Sequence, residues 1–193
     1  MPYTIAIVHD FDRVLHPDFT TTILCRYNDL DVRQTADMIV SEGLLTDDVI
    51  KEYLTKMGLS SFRDLVDIAR CGEYALYDIS AIPKENLVRI KAKLNEGLRC
   101  ETMERAIRDI EPNLGARELV SWGNHVNAYQ MLISDGWEPA IEYWSRELGI
   151  NGYSKGIVPE FVDGRFTGNV SKIDKKEVAH TKLQEVGISY EKT

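Results

Sequence analysis

The feature that most limits what this chain can fold into is the distance between its two apolar, strand-like runs. Tyr3 to His9 (YTIAIVH) is short and β-branched and ends on Asp10-Phe11-Asp12, the pattern of a buried parallel strand whose carboxyl end carries chemistry. The next comparable run, Val126 to Ile133 (VNAYQMLI), comes only after a long stretch, 16–112, whose periodicity is helical almost throughout. Within that stretch Asp47 to Met57 places Ile50, Tyr53, Leu54 and Met57 on one face, with Thr46 as N-cap and Gly58 past the end. Ser61 to Arg70 repeats the scheme. Leu87, Ile90 and Leu94 follow Pro83, and Met103, Ala106, Ile107 and Ile110 mark a further helix. Faces of this kind pack on one another in a small helical bundle.

After Pro112 the period changes. A short helix over Leu114 to Trp122 precedes the second apolar run, which leads straight into Ser134-Asp135-Gly136. A helix follows, with Pro139 in its first turn and Ile141, Trp144 and Leu148 on its face. Gly156 to Phe161 and Arg165 to Val170 are extended pieces on either side of Asp163-Gly164, a hairpin pair. A last helix runs from about Asp174 to Val186. Strands alternating with helices predict an α/β fold with a parallel sheet, its core in 1–15 and 113–193 and its helical insertion in 16–112.

Composition excludes several jobs. The 193 residues carry 23 positive and 31 negative side chains, a formal charge of −8, which is the wrong sign for a nucleic-acid or anionic-membrane surface. At 44% hydrophobic and 28% charged, the chain suits a packed domain. No apolar run approaches the roughly 18 residues of a membrane span. The N-terminus lacks the pattern of a secretory signal, so a cytoplasmic location is expected. Cys25, Cys71 and Cys100 are odd in number and far apart, which indicates neither a disulfide framework nor a CxxC metal site.

Three groups of residues can do chemistry. Asp10 and Asp12, two apart at a strand end, are expected to project to one side, where two carboxylates can hold a hard cation and divide nucleophilic and proton-moving roles. Ser134 follows an apolar run and precedes a helix, a turn suited to phosphate oxygens. Lys175 and Lys176 open a helix whose dipole disfavours them, as lysines serving a bound anion would. Taken singly, each has an ordinary structural explanation: a solvated acidic pair, an N-cap serine, surface charge.

Together and in this order, DFDRVL after a strand, LISDGW after a strand, the hairpin Asp163-Gly164-Arg165-Phe166-Thr167-Gly168-Asn169-Val170 and Lys175-Lys176-Glu177 resemble the haloacid dehalogenase superfamily of phosphohydrolases, in its phosphoserine-phosphatase-like branch. The hairpin is similar to the DGxhTGxV segment of that branch, where h is apolar, and the resemblance covers nearly all of 3–193. It implies a Rossmann-like core with an inserted helical cap at 16–112 and a Mg²⁺-dependent phosphatase acting on a small phosphorylated metabolite through an aspartyl-phosphate. In that scheme Asp10 attacks phosphorus and Asp12 is general acid and base. Mg²⁺ binds the Asp10 carboxylate and the Asp12 backbone carbonyl. Ser134 holds a phosphoryl oxygen and Lys175 neutralises charge, with Lys176 as the alternative if the register is off by one.

Arg13, Asp135 and Gly136 flank the phosphate pocket in the same scheme. Arg13 stands where the family has small residues, and Asp135 where the branch has glycine. Phe19 and Glu52 stand where phosphoserine phosphatases carry their amino-acid-reading glutamate and arginine, so phosphoserine is not the expected substrate. The family's last acidic motif, G-D-x-x-x-D after a further strand, has no counterpart before Thr193. That predicts an incomplete core, weak Mg²⁺ binding and little or no turnover. It also predicts an apolar edge at Thr4–His9, open to a homodimer contact. The alternative is a non-catalytic relative that binds a phosphorylated metabolite or a protein partner.

Overall fold

The computed structural model describes residues 3–17, 20, 23, 24, 27, 28, 32–64 and 83–189. In chain order these form β1 (Ala6–His9), α1 (Val32–Ser41), α2 (Asp47–Met57), α3 (Lys84–Asn95), α4 (Cys100–Arg108) and α5 (Ala116–His125). They continue with β2 (Tyr129–Trp137), α6 (Glu138–Leu148), β3 (Ser154–Val162), β4 (Arg165–Ser171) and α7 (Lys175–Glu185). The sheet order is β1-β2-β3-β4, with β1, β2 and β3 mutually parallel, Ala6 opposite Tyr129 and Leu132 opposite Ser154. The fold is α/β, as the alternation of strand and helix predicts.

The chain divides into two compact units. One comprises 1–20, 109–158 and 171–193; the other comprises 21–108 and 159–170. In the first, strand alternation sends Tyr129, Met131 and Ile133 of β2 to one face, where they pack with Leu183, Val178 and Ala179 of α7. Gln130, fully buried, points the other way and donates through Nε2 to the carbonyl of Val120 and to Asn124 Oδ1, each at 2.9 Å, tying β2 to α5. The helix α6 runs between Pro139 in its first turn and Gly149 at φ 78°, and buries Ala140, Ile141, Trp144 and Leu148.

In the second unit, Ile39, Leu44, Leu45, Ile90 and Leu94 make the core, with Val49, Ile50, Phe62 and Leu87 packed around it. Thr46 caps α2 by accepting from the Val49 N–H, and Gly58 ends it at φ 65°. The expected helix over Ser61 to Arg70 is helical at 62–64, and its remainder lies outside the described residues, as do Phe19, Cys25 and Cys71. Asp163 (φ 49°) and Gly164 (φ 72°) make the hairpin turn, both left-handed as a two-residue turn of this hand requires. Backbone bonds from Gly97 to Phe166, Phe166 to Leu98 and Cys100 to Gly164, all 2.9 Å, gather the 159–170 hairpin into the helical unit rather than into the sheet unit. No helix among the described residues is long and apolar enough to cross a membrane.

Two local expectations need correction. The second strand does not stop at Ile133: it begins later, at Tyr129, and runs through Ser134-Asp135-Gly136 to Trp137. Helix α6 therefore starts at Glu138, so Ser134 is a strand residue and not one at a helix N-terminus. The register shows why. Ile133 faces Lys155 and Trp137 faces Ile157, so four steps along β2 match two along β3, and 134–136 bulge out of the ladder. The bulge depends on Gly156, where an added Cβ would lie 2.7 Å from the Glu138 backbone and 2.8 Å from the Gly136 carbonyl oxygen. Replacing Gly156 by Ala is expected to destabilise the protein by about 1–3 kcal/mol, seen as a lower urea midpoint with an unchanged slope.

The second correction concerns Asp10 and Asp12. β1 ends at His9, so strand periodicity does not reach these two residues. Instead the carbonyl of Phe11 accepts from the N–H groups of Val14, Leu15 and His16 at 3.0–3.2 Å, closing a tight turn. Phe11, fully buried, anchors that turn between His16 and Trp144 with ring centroids at 5.6 and 6.5 Å.

Candidate active site

The carboxyl end of the parallel strands brings three charged side chains together, all within the first unit. Lys175 Nζ donates to Asp10 Oδ2 at 2.7 Å across 165 positions of sequence, and lies 3.4 Å from Asp135 Oδ2. The other Asp10 oxygen, Oδ1, accepts from the Phe11 N–H at 2.8 Å, so both oxygens are held and the carboxylate plane is set. Asp10 comes from the end of β1, Asp135 from the bulge in β2 and Lys175 from the first turn of α7. Asp174 makes that last placement stable: its side chain caps α7 by accepting from the Lys176 and Glu177 N–H groups at 2.9 and 3.1 Å. A lysine at a helix N-terminus is unfavourable alone, but here the cap and two carboxylates offset the dipole.

The remaining sequence candidates fall around this cluster. Lys175 reaches Asp10, and Lys176 lines the neighbouring groove. Ser134 is fully buried in the bulge, where its Oγ accepts from the Gly136 N–H at 3.2 Å. Arg13 is exposed, in the turn after Asp12, at a left-handed φ of 61°. Asp12 turns away from the lysine. Its Oδ1 accepts from both the backbone N–H (2.9 Å) and the hydroxyl of Thr20, and its buried Oδ2 has no partner among the described residues. Sequence spacing carries no signal for Thr20, which lies eight positions on and meets Asp12 only because the Phe11 turn folds back. Nor does it signal the Lys175–Asp135 contact, which needs the bulge.

Burial pulls the Lys175 ammonium toward losing its proton. The hydrogen bond to Asp10 and the charges of Asp10 and Asp135 outweigh that pull, leaving its pKa above the ordinary lysine value of 10.5. A fixed cation beside Asp10 can damp the repulsion between that carboxylate and an anionic ligand. The donor chemistry also suits Mg²⁺. Asp10 and Asp135 are hard oxygen donors that already converge on one cation, and Mg²⁺ needs only one or two carboxylates because it keeps several waters. No group of three or more ligating side chains occurs among the described residues.

Among solved structures, the chain is similar to a substrate-bound phosphoserine phosphatase complex, with a TM-score of 0.65 and 20% identity over 98% of this chain and 75% of that one. A phospho-aspartyl intermediate analogue of phosphoserine phosphatase aligns at 0.64 with 20% identity, over 97% and 74%. The fold is that of the phosphoserine phosphatases. A haloacid-dehalogenase-family hydrolase from Salmonella enterica serovar Typhi shares it, with a TM-score of 0.62 and 11% identity, over 98% of this chain and 54% of that one. No protein-family profile and no curated protein sequence matches the chain.

Because its folded pKa is raised, Lys175 contributes stability that is fully present below the unfolded lysine value and is lost only as pH rises through the folded one. In a ¹⁵N-lysine NMR titration its ammonium should remain charged to higher pH than exposed lysines. Asp10→Asn should bring that transition down.

Proposed function

We propose that this chain is a Mg²⁺-dependent phosphomonoesterase that acts on a small phosphorylated metabolite through an aspartyl-phosphate. The observation that carries this reading is the Asp10–Lys175 pair at 2.7 Å, a carboxylate held at both oxygens beside a fixed cation at the carboxyl end of a parallel sheet. The similarity in fold to phosphatases supports it.

In the proposed reaction a carboxylate oxygen of Asp10 attacks phosphorus and the ester P–O bond breaks. The departing alkoxide takes a proton from Asp12, whose Oδ2 has no competing partner among the described residues. Water then attacks the aspartyl-phosphate, Asp12 recovers a proton and inorganic phosphate leaves. Lys175 offsets charge on the phosphoryl group, and Ser134, whose Oγ accepts from the Gly136 N–H, holds the shape of the bulge beside it. Asp10, the Asp12 backbone carbonyl and Asp135 would hold Mg²⁺, which when bound supplies further neutralisation of the phosphoryl oxygens. The helical insertion, 16–112, selects the substrate in this reading.

Hydrolysis of an aryl phosphate with Mg²⁺ tests the assignment. Asp10→Asn should abolish both turnover and acid-stable ³²P labelling of the protein, and Asp12→Asn should lower kcat by about 10²–10⁴-fold. Activity that survives Asp10→Asn removes the nucleophile from the scheme.

A subsidiary reading concerns β1. Among the described residues no strand pairs with its outer side, and Ile5 and Val8 are each 49% exposed; the groove of about 1220 Å³ beside it is lined by Val8, Ile133, Ala179 and Leu183 together with the site residues Asp10 and Lys175. Apolar edges of this kind add strands, and the partner proposed is a second copy of the chain. Light scattering should then give a dimer mass that Val8→Lys reduces to the monomer. A monomer before substitution removes this contact.

A further inference from the structure

Thr20 has no place in the scheme above, yet it is fully buried and directs both of its hydrogen-bond donors at one atom. Its N–H (2.9 Å) and its hydroxyl meet on Asp12 Oδ1. Two donors on one carboxylate oxygen are charge-assisted bonds, about twice as strong as neutral ones, and rotating the carboxyl to exchange its oxygens breaks both. The surroundings are built to the same end. An added Cβ on Gly136 would stand 3.2 Å from Thr20 Oγ1 and 3.5 Å from Asp12 Oδ1, and 3.2 Å from Ile141 Cδ1. Gly136 therefore lets the bulge of β2 close over the Thr20–Asp12 pair, because it puts no side chain there. What is left is Asp12 Oδ2, buried and without a partner among the described residues.

We propose that Thr20 is a positioning residue for Asp12. By saturating Oδ1 it makes Oδ2 the oxygen that gives a proton to the leaving group and takes one from water. This rests on the acid–base role assigned to Asp12 above. Loss of the hydroxyl leaves the Thr20 N–H as the one remaining donor on Oδ1 and so loosens the carboxyl without removing it, which makes the defect one of proton transfer and not of binding.

The test compares wild type, Thr20→Val and Thr20→Ser on an alkyl phosphate, whose poor leaving group needs the proton, and on p-nitrophenyl phosphate, whose good one does not. Single-turnover formation of the phospho-enzyme separates the first step from the second. Thr20→Val is expected to slow that step about 10- to 100-fold on the alkyl ester and less than about threefold on the aryl ester, a fraction of a general acid's full effect, with KM within about twofold. Thr20→Ser should restore most of the loss.

Equal losses on the two esters, a change confined to KM, or failure of serine to rescue would overturn the proposal. Proton NMR keeps it falsifiable without turnover: the Thr20 hydroxyl should exchange slowly in wild type and rapidly in Asp12→Ala. Fast exchange in wild type rejects the placement itself. Slow exchange in a wild type that hydrolyses neither ester rejects the phosphatase reading and, with it, this role for Thr20.

Discussion

The arrangement of the sheet unit turns on one ammonium group. Lys175 stands between Asp10 and Asp135, and without it two carboxylates would face each other at the mouth of a partly dry site. The contact joins the end of β1, the bulge of β2 and the first turn of α7, so it closes the carboxyl edge of the sheet as well as setting its electrostatics. Burial alone would lower the pKa of the lysine, and the carboxylates reverse that. The site thus holds one fixed positive charge between two carboxylates, in a protein of formal charge −8.

The second constraint is close packing around glycine. Gly156 lets β3 approach the start of α6, and Gly136 lets the bulge settle over Asp12 and Thr20. Neither contact leaves room for a Cβ without displacement. The bulge in turn delivers Asp135 to Lys175 and buries Ser134, so charge placement at the site depends on backbone packing two strands away. The buried Phe11 does comparable work for the other loop, because its packing against Trp144 fixes the turn in which Asp10 and Asp12 part company.

Much of this was legible in the sequence. The apolar run ending in Asp10-Phe11-Asp12 marked β1 and its chemistry. Thr46 and Gly58 bounded α2, Pro139 and Gly149 bounded α6, and Asp163-Gly164 marked the hairpin turn. Each of these signals is local: a cap, a terminator or a left-handed pair acts within one turn of chain. The Lys175 side chain was also legible, in that a lysine opening a helix calls for an anion nearby. What local pattern misjudged was the end of β2. Ser134-Asp135-Gly136 has the composition of a turn, but strand pairing with β3 carries the backbone on to Trp137, because a neighbouring strand outweighs weak local preference.

The sequence by itself determined the α/β class and the run of helices between the first two strands, because periodicity and capping are written in neighbouring positions. Only the tertiary structure decided which charges meet. Asp135 pairs with Lys175, Asp12 faces Thr20 and not the lysine, and Ser134 lies inside a strand. Those choices follow from strand register, from the missing Cβ atoms of Gly136 and Gly156, and from the Phe11 turn, all of which act across the fold between residues that sequence spacing does not relate.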